Sequence, residues 1–527
     1  MTYVPAPHVT QNWVLTKPSA TGKRGMVVSQ VKAAADAGVA ILDAGGNAID
    51  AAVATALALA TAEPWNSGLG GIGFALVHRA GEPRASLVDF GPVAPRAAKP
   101  SDFKLTGRMS NDLFKWPEVE GDANIHGPLS VAIPSSGAGY AHMLERWGKL
   151  PLVDVIAPAI ALAKRGLPQD WYTTLKIAAS ASELKKYPDS AKVYLPNGLP
   201  PIAPYQGSPG FFRQGNLPGT LERIAKAGLR DIYEGELAAS IVADIKALGG
   251  ILDARDLRDC QARVVPATEF AWRGRTLQLS SQLTAAPTMM HVLRQMATVS
   301  HGAAPDTAWY LAFARAMKAA YADRLTALGD ADPLAAETCT THLTVCDQEG
   351  TMVAMTTTLM SSMGSRVLLP GSGIMLNNGM MWFDPRPGQP NSIKPGAKPL
   401  ANMCPIILKA DGLPCGAIGA AGGRTIFPTV LQLLSYLADF GLSLEDAFHA
   451  PRIDASTPTI KVNARAATEV ATHIATRFPV EVVDDSVYPV HFSVPSAVMR
   501  AAGENIGMAH PTSPWAAVAK GRPLDAG

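Results

Sequence analysis

Charge is scarce in this chain. Only 17% of its 527 residues are Asp, Glu, Lys or Arg, and 46 basic against 44 acidic side chains leave a net charge of +2. That balance argues against a surface built for nucleic acid. Long apolar runs are lacking too. The nearest, Ala51 to Ala62, is short, rich in Ala and Thr, and stopped by Glu63-Pro64, so no membrane span is expected. The stretch Met1 to Gly22 is polar, carries three prolines and has no apolar centre, which predicts no signal peptide. Cysteine is sparse and odd in number. Cys260, Cys339, Cys346, Cys404 and Cys415 fit neither a disulfide framework nor a metal-ligand spacing. They read as reduced thiols of a cytoplasmic protein with no metal and no cofactor. What is abundant is turn-forming and apolar: 47 glycines, 42 prolines and 47% hydrophobic residues. The chain is therefore globular and loop-rich with a large buried fraction. Its length exceeds one ordinary core, so two or more lobes or one large layered fold is expected.

Along the chain, Met26-Val27-Val28-Ser29 reads as a strand, followed by a helix from about Val31 to Ala44 that stops at Gly45-Gly46. Asn47 caps a second helix, about Ala48 to Thr61. The run Asn66 to Phe74 holds four glycines in six residues. It resembles a phosphate loop, but no Lys-Ser/Thr follows and the next residues read as a strand, so close backbone packing near a site fits it better. From about Pro151 to Leu328 the pattern is mostly helical, at Val153–Lys164, Leu217–Ala227, Leu237–Leu248 and a long Thr307–Leu328 capped by Asp306. Tyr187–Phe212, rich in Pro and Gly, reads as a surface excursion. Strand pattern dominates from Thr340 to Ile418. Helices follow at Phe427–Phe440 and Ser443–His449, then short strands at Ile460–Val462 and Val480–Val483. Helices first and then strands packed on them make an α+β fold in layers. There is no internal repeat.

The most informative run is Glu337-Thr338-Cys339-Thr340-Thr341-His342, at the mouth of a β-branched segment that turns at Gln348-Glu349-Gly350 and returns as Met352 to Thr358. A threonine hydroxyl is a poor nucleophile by itself. Once the bond before it is cut, its own α-amine, with a pKa near ~8, can serve as general base. One reading is a precursor that splits at Cys339–Thr340. The alternative is a Thr-rich edge strand, since Thr is a good strand residue. Cys339 is a second nucleophile type at this place, but the Thr pair explains the site better.

Four blocks resemble the γ-glutamyltranspeptidase family of N-terminal-nucleophile hydrolases. They are Gly25-Met26-Val27-Val28 through Gly45-Gly46-Asn47-Ala48-Ile49-Asp50-Ala51-Ala52 to Glu63-Pro64; Gly127 to Gly139 with Trp147-Gly148-Lys149-Leu150-Pro151; Thr340-Thr341-His342; and Gly371-Ser372-Gly373-Ile374 to Asn377-Asn378 with Gly419 to Gly423. The resemblance implies a four-layer αββα sandwich, cut by the chain itself into a large subunit, 1–339, and a small one, 340–527, which pair, with a dimer of heterodimers as the further assembly it allows. It makes Thr340 the nucleophile. Thr358 matches the family threonine that hydrogen-bonds it, and Gly422-Gly423 the pair whose amides form an oxyanion hole. Thr341, His342 and Asn378 fall among the substrate-contact positions. His342 either shapes the site or is a structural histidine.

The departures concern the pocket that reads a glutamyl α-amino acid head. The family Arg after Asp89-Phe90 is Gly91 here. A family Asn is Met360, a Gln is Gly379, the Asp that holds the α-amine is Trp382, and the Ser-Ser pair is Ala401-Asn402. Soft and aromatic surface replaces charge, and a buried pocket without counter-charges disfavours a zwitterion. Arg366, Arg96 and Arg424 are candidates for a relocated carboxylate anchor. The expectation is an autoprocessing amidohydrolase that acts through an acyl-Thr340 intermediate on a small amide other than glutathione, with water as acceptor. A γ-glutamyl hydrolase or transferase with a rebuilt pocket is the alternative within the family. A processed but idle binding or scaffold protein is the alternative outside it.

Overall fold

The computed structural model describes residues 13–110, 116–280, 283–328 and 338–522. Glu337 of the threonine motif, and the stretch before Trp13 in which a signal peptide was sought, lie outside the described residues.

Two seven-stranded sheets, antiparallel throughout, form the centre. One runs in the order Ala517–Lys520, Gly25–Ser29, Thr338–Asp347, Met352–Ser361, Ile72–His78, Ser86–Phe90, Arg263–Pro266. The other runs Ala20–Gly22, Glu504–Ala509, Val494–Ala501, Leu413–Ala421, Ile406–Ala410, Arg275–Leu279, Thr268–Trp272. Strand residues alternate between faces, and the buried clusters follow that period. In the first sheet Val27, Ala75, Val77, Leu343, Val345, Val353 and Met355 join the core made with helices Lys32–Asp43 and Ala48–Ala62. Their neighbours Met26, Val28, Phe74, Leu76, Cys346, Met352 and Ala354 share a core with Ile407, Ala417 and Val498 of the second sheet. The other face of that sheet, with Leu277, Ile406, Leu408 and Ile418, packs under helices Ala286–Met296, Thr307–Leu328 and Ile426–Ala438. Both sheets take strands from both sides of the Cys339–Thr340 bond.

The helix Ala48–Ala62 is buried along its whole length. Asn47 caps it by accepting from the Ile49 and Asp50 amides, and Asp50 returns a bond to the Asn47 amide. Small side chains let Lys32–Asp43 and Leu152–Arg165 pack closely on it. It ends at Glu63, which is the first polar group at the site described below.

Three sequence expectations need correction. Tyr187–Phe212 is not wholly a surface excursion. It contains a helix, Pro188–Tyr194, anchored by buried Tyr194 and by Ser190, whose hydroxyl donates to Arg366 O at 2.6 Å and accepts from the Leu368 amide. The middle of the block from Thr340 to Ile418 is irregular, because the side chains of Asn377 and Asn378 bind backbone there in place of a strand partner. The mostly helical middle is interrupted by a hairpin, Thr268–Trp272 with Arg275–Leu279, before its last two helices, and the C-terminal strands Val494–Ala501 and Glu504–Ala509 belong to the second sheet.

Candidate active site

The hairpin brings Thr340 and Thr358 together. Pairing is regular from Cys346 back to Thr341, shifts at Thr340, and resumes with Cys339 opposite Met360. A bulge of this kind lets a side chain leave the ladder direction. On the facing strand Met360 has φ of 88°, a left-handed conformation that costs a non-glycine residue of order 1–3 kcal/mol. The irregularity therefore sits on both sides of the Cys339–Thr340 bond.

The hydrogen bonds around that bond are directional. The Met360 amide donates to Thr358 Oγ1 at 2.7 Å, and Thr358 Oγ1 donates to the Cys339 carbonyl oxygen at 2.5 Å. Thr340 Oγ1 lies 3.4 Å from Thr358 Oγ1. Thr358 thus points its proton at the Cys339 carbonyl rather than mainly at the Thr340 hydroxyl. The glycine-rich loop supports it from behind. A Cβ on Gly71 would stand 2.8 Å from Thr358 O, and Asn66 O accepts the Leu359 amide.

Gly422 and Gly423 follow strand Leu413–Ala421 with φ of 136° and 56°. The turn they open, Gly423–Thr425, touches the strand Thr338–Asp347. Neither amide is engaged by a carbonyl among the described residues. Two free amides beside a strand that carries Thr340 are what an oxyanion hole needs.

Period two separates the neighbours of Thr340. Thr341 is turned from the site, into the helix layer, where its hydroxyl donates to Glu63 Oε2 at 2.5 Å. His342 is turned between the sheets. Its Nδ1 meets Thr356 Oγ1 at 2.8 Å, and its ring packs over Gly419, where a Cβ would clash. Burial drives its pKa down to about 3, so it is neutral, and its Nε2 is buried without a hydrogen-bond partner among the described residues. Asn378 is used internally, accepting from the Ser361 amide and donating to Ile125 O.

The surroundings of Met360 are apolar. Met360, Met381, Trp382, Ala401, Met403, Trp116 and Phe74 belong to one buried cluster. Gly91, where the family pocket has its arginine, has no room for a side chain: a Cβ would lie 2.5 Å from the Phe74 ring. Asn402 accepts from Arg324 Nη2 at 2.9 Å. Two candidate anchors have partners of their own, and Arg96 lines a cavity with Gly91 and Ser135. Arg96 is neutralised by Asp259 at 2.5 Å with Asp256 nearby, and Arg366 bonds Gly364 O on the side of His126 and Tyr187.

Sequence reasoning missed two charges here. Glu63 is buried and bridges Thr341 and Asn66. Arg324 is buried and bonds Thr284, Thr288, Ala401 and Asn402. A glutamate ending an otherwise apolar helix before proline was the available signal for the first. The second had none.

The profile of the gamma-glutamyltranspeptidase family matches residues 34–337 and 333–519. The chain is similar to the Acylase ACY 1 proenzyme of Pseudomonas sp. (strain V22), with 32% identity over 489 residues, covering 85% of this chain and 86% of that protein. It is similar to the glutathione hydrolase proenzyme of Escherichia coli (strain K12), with 31% identity over 490 residues and coverage of 82% and 80%. Among solved structures, cephalosporin acylase from Bacillus halodurans superposes with a TM-score of 0.83 at 25% identity, over 99% of this chain and 100% of that one.

Proposed function

The chain belongs to the gamma-glutamyltranspeptidase family, and from that premise we propose that it cuts itself at Cys339–Thr340 and then hydrolyses an acyl amide through an acyl-Thr340 intermediate. The observation that carries the reading is the bond from Thr358 Oγ1 to the Cys339 carbonyl, beside the Thr340 hydroxyl. In maturation Thr340 Oγ attacks that carbonyl carbon. Negative charge gathers on the oxygen that Thr358 already faces. The C–N bond breaks, the proton passes to the Thr340 nitrogen, and water hydrolyses the resulting ester. The freed α-amine then takes the hydroxyl proton when Thr340 attacks a substrate amide. The Gly422 and Gly423 amides would receive that second oxyanion.

The apolar wall and the crowded Gly91 favour an acyl group without an α-amino acid head, which suits the acylases among the relatives. A four-layer αββα arrangement is supported by the three cores, helix on sheet, sheet on sheet and sheet on helix. Interleaved strands would keep the two subunits paired after the cut. No helix among the described residues is long and apolar enough to cross a membrane, and the five cysteines form no disulfide.

The test is direct. Purified wild type should run as two fragments, the smaller beginning with Thr340 by N-terminal sequencing. Thr340→Ala should stay one chain and cleave no amide. A wild-type chain that remains intact after long incubation would sink the proposal.

A further inference from the structure

Glu63 and Asn66 grip both strands of the hairpin that carries Thr340. On one strand the Thr341 hydroxyl donates to Glu63 Oε2 at 2.5 Å. On the other the Leu359 amide, next to Thr358, donates to Asn66 O at 2.8 Å. The two grips are one unit, because Asn66 Nδ2 donates to Glu63 Oε1 at 2.5 Å. The same turn is tied just past the second strand as well, where the Met363 amide donates to Trp65 O.

Cys339 is held from the same side. Lys176, on the helix Trp171–Ala178, brings Nζ to 4.0 Å from Cys339 Sγ. Cys339 and Thr341 thus both meet the helix layer. Side chains alternate along a strand, so Thr340 between them faces the other way, toward Thr358 Oγ1 at 3.4 Å. The register of the hairpin shifts between these same two residues, so the grips sit where pairing across the hairpin does not fix it. The cluster is dry. Glu63 is buried, and the rings of Trp65, Tyr172 and Trp515 pack together beside it. A buried carboxyl is costly unless its bonds are needed.

We propose that Glu63 is a positioning residue for maturation: through Thr341 and Asn66 it holds the hairpin so that the Thr340 hydroxyl meets the Cys339 carbonyl, and it does so as a carboxylate. This rests on the self-cutting reading above and adds its regulation by pH. A carboxylate accepts both bonds at once, and its charge strengthens each. A proton on either oxygen turns an acceptor into a donor and loosens one grip. Burial lifts the carboxyl to about 7, against the pull of the Thr341 hydroxyl, Lys176 and Asn66, so the change falls near neutrality. The titratable groups facing this cluster are Lys176 and Tyr172 from the helix Trp171–Ala178 and Cys339 from the strand. Tyr172 is pushed up to about 12 and stays neutral, and the charge of Lys176 favours the ionised Glu63.

The measure is the rate at which freshly synthesised precursor disappears, followed on gels between about pH 5.5 and 8.5, on either side of that titration. The ratio of wild type to Glu63→Gln should lie near one at the acid end and reach about tenfold at the other, the worth of a hydrogen bond to a charged group. A grip that only stabilised the fold would give the same ratio at every pH. Thr341→Val is nearly isosteric. It should lose the same pH-dependent component, and Thr341→Ser should keep it. Adding Glu63→Gln to Thr341→Val should slow the cut little further, because the two act through one bond. Thr341→Val against Thr341→Ser answers the same question if Glu63→Gln does not fold. A ratio that does not change with pH, or full independent effects of the two substitutions, would overturn the assignment while the self-cutting reading stands. A wild type that is never cut removes that reading and this role with it.

Discussion

Replacing Glu63 by glutamine should flatten the pH dependence of stability by a predictable amount. Glu63 is 2% exposed. Burial lifts its carboxyl from the ordinary 4.5 to about 7, against the pull of the Thr341 hydroxyl, Lys176 and Asn66. The folded chain therefore holds a proton that the unfolded chain releases between about pH 4.5 and 7. The stability that Glu63 contributes is complete below 4.5 and is lost as pH rises through 7. A shift of this size corresponds to about 3 kcal/mol. The clean background is Thr340→Ala, which should remain one chain. With an unfolding entropy of about 2 cal/mol/K per residue, 3 kcal/mol moves Tm by about 3 °C in a protein of this length. Part of this is already lost by pH 5, so Tm measured from pH 5 to 8 should fall about 2 °C more in the Thr340→Ala parent than in Thr340→Ala with Glu63→Gln. The comparison is of slopes, because glutamine must also reorient against Asn66. Other buried groups, such as Asp347 and Asp454 with raised pKa and His510 with a lowered one, titrate in both proteins and cancel. Parallel curves would show that Glu63 does not carry a proton near neutrality.

The remaining predictions concern the two oxyanion positions and the acyl pocket. Thr358→Val keeps strand shape but loses the donor to Cys339 O, and should slow maturation by about ten- to a hundredfold, read as the rate at which precursor disappears; an unchanged rate would remove Thr358 from the reaction. Gly423→Ala should mature but turn over at least about tenfold more slowly, because a Cβ strains a left-handed residue and shifts the amide aimed at the anion; wild-type turnover of a good substrate would place the hole elsewhere. Glutaryl anilide should exceed γ-glutamyl anilide in kcat/KM, since the two differ only by an α-ammonium group for which Gly91, Gly379 and Trp382 offer no partner; a tenfold preference for the γ-glutamyl compound would mean that the pocket was rebuilt.

What could be read from sequence was local and periodic. Asn47 with Asp50 specifies a helix start, and alternation in Leu343-Thr344-Val345-Cys346 specifies a strand with two buried faces. The hairpin that opposes Thr340 and Thr358 follows from its turn. Adjacency misled where period two acts: Thr341 and His342 read as one patch beside the nucleophile, yet they face opposite layers and meet Glu63 and Thr356. The hairpin at Trp272-Arg273-Gly274-Arg275 was legible from its glycine turn, with Arg273 and Gly274 both at positive φ, but was lost among helices. Arg96 was one of three candidate anchors, and its pairing with Asp256 and Asp259, far along the chain, could not be read from the sequence. Burial of Glu63, Arg324 and Arg424 is a property of packing, and one sequence does not display it.

The same sheet explains why the precursor is poised. In an unbroken ladder, Thr340 would sit directly opposite a partner, its carbonyl neighbour bonded across the hairpin and its hydroxyl aligned with the sheet normal. The bulge frees the Cys339 carbonyl from that duty and gives it to Thr358, while Met360 takes up the irregularity with its left-handed backbone and aims Thr358 through its own amide. Regular pairing on either side holds the distortion in place, so the strain cannot relax by sliding the register without turning every core residue of the strand to the wrong face. In the proposed maturation, cutting the chain at Cys339–Thr340 is the relaxation left open, and it would expose the amine that the proposed turnover needs.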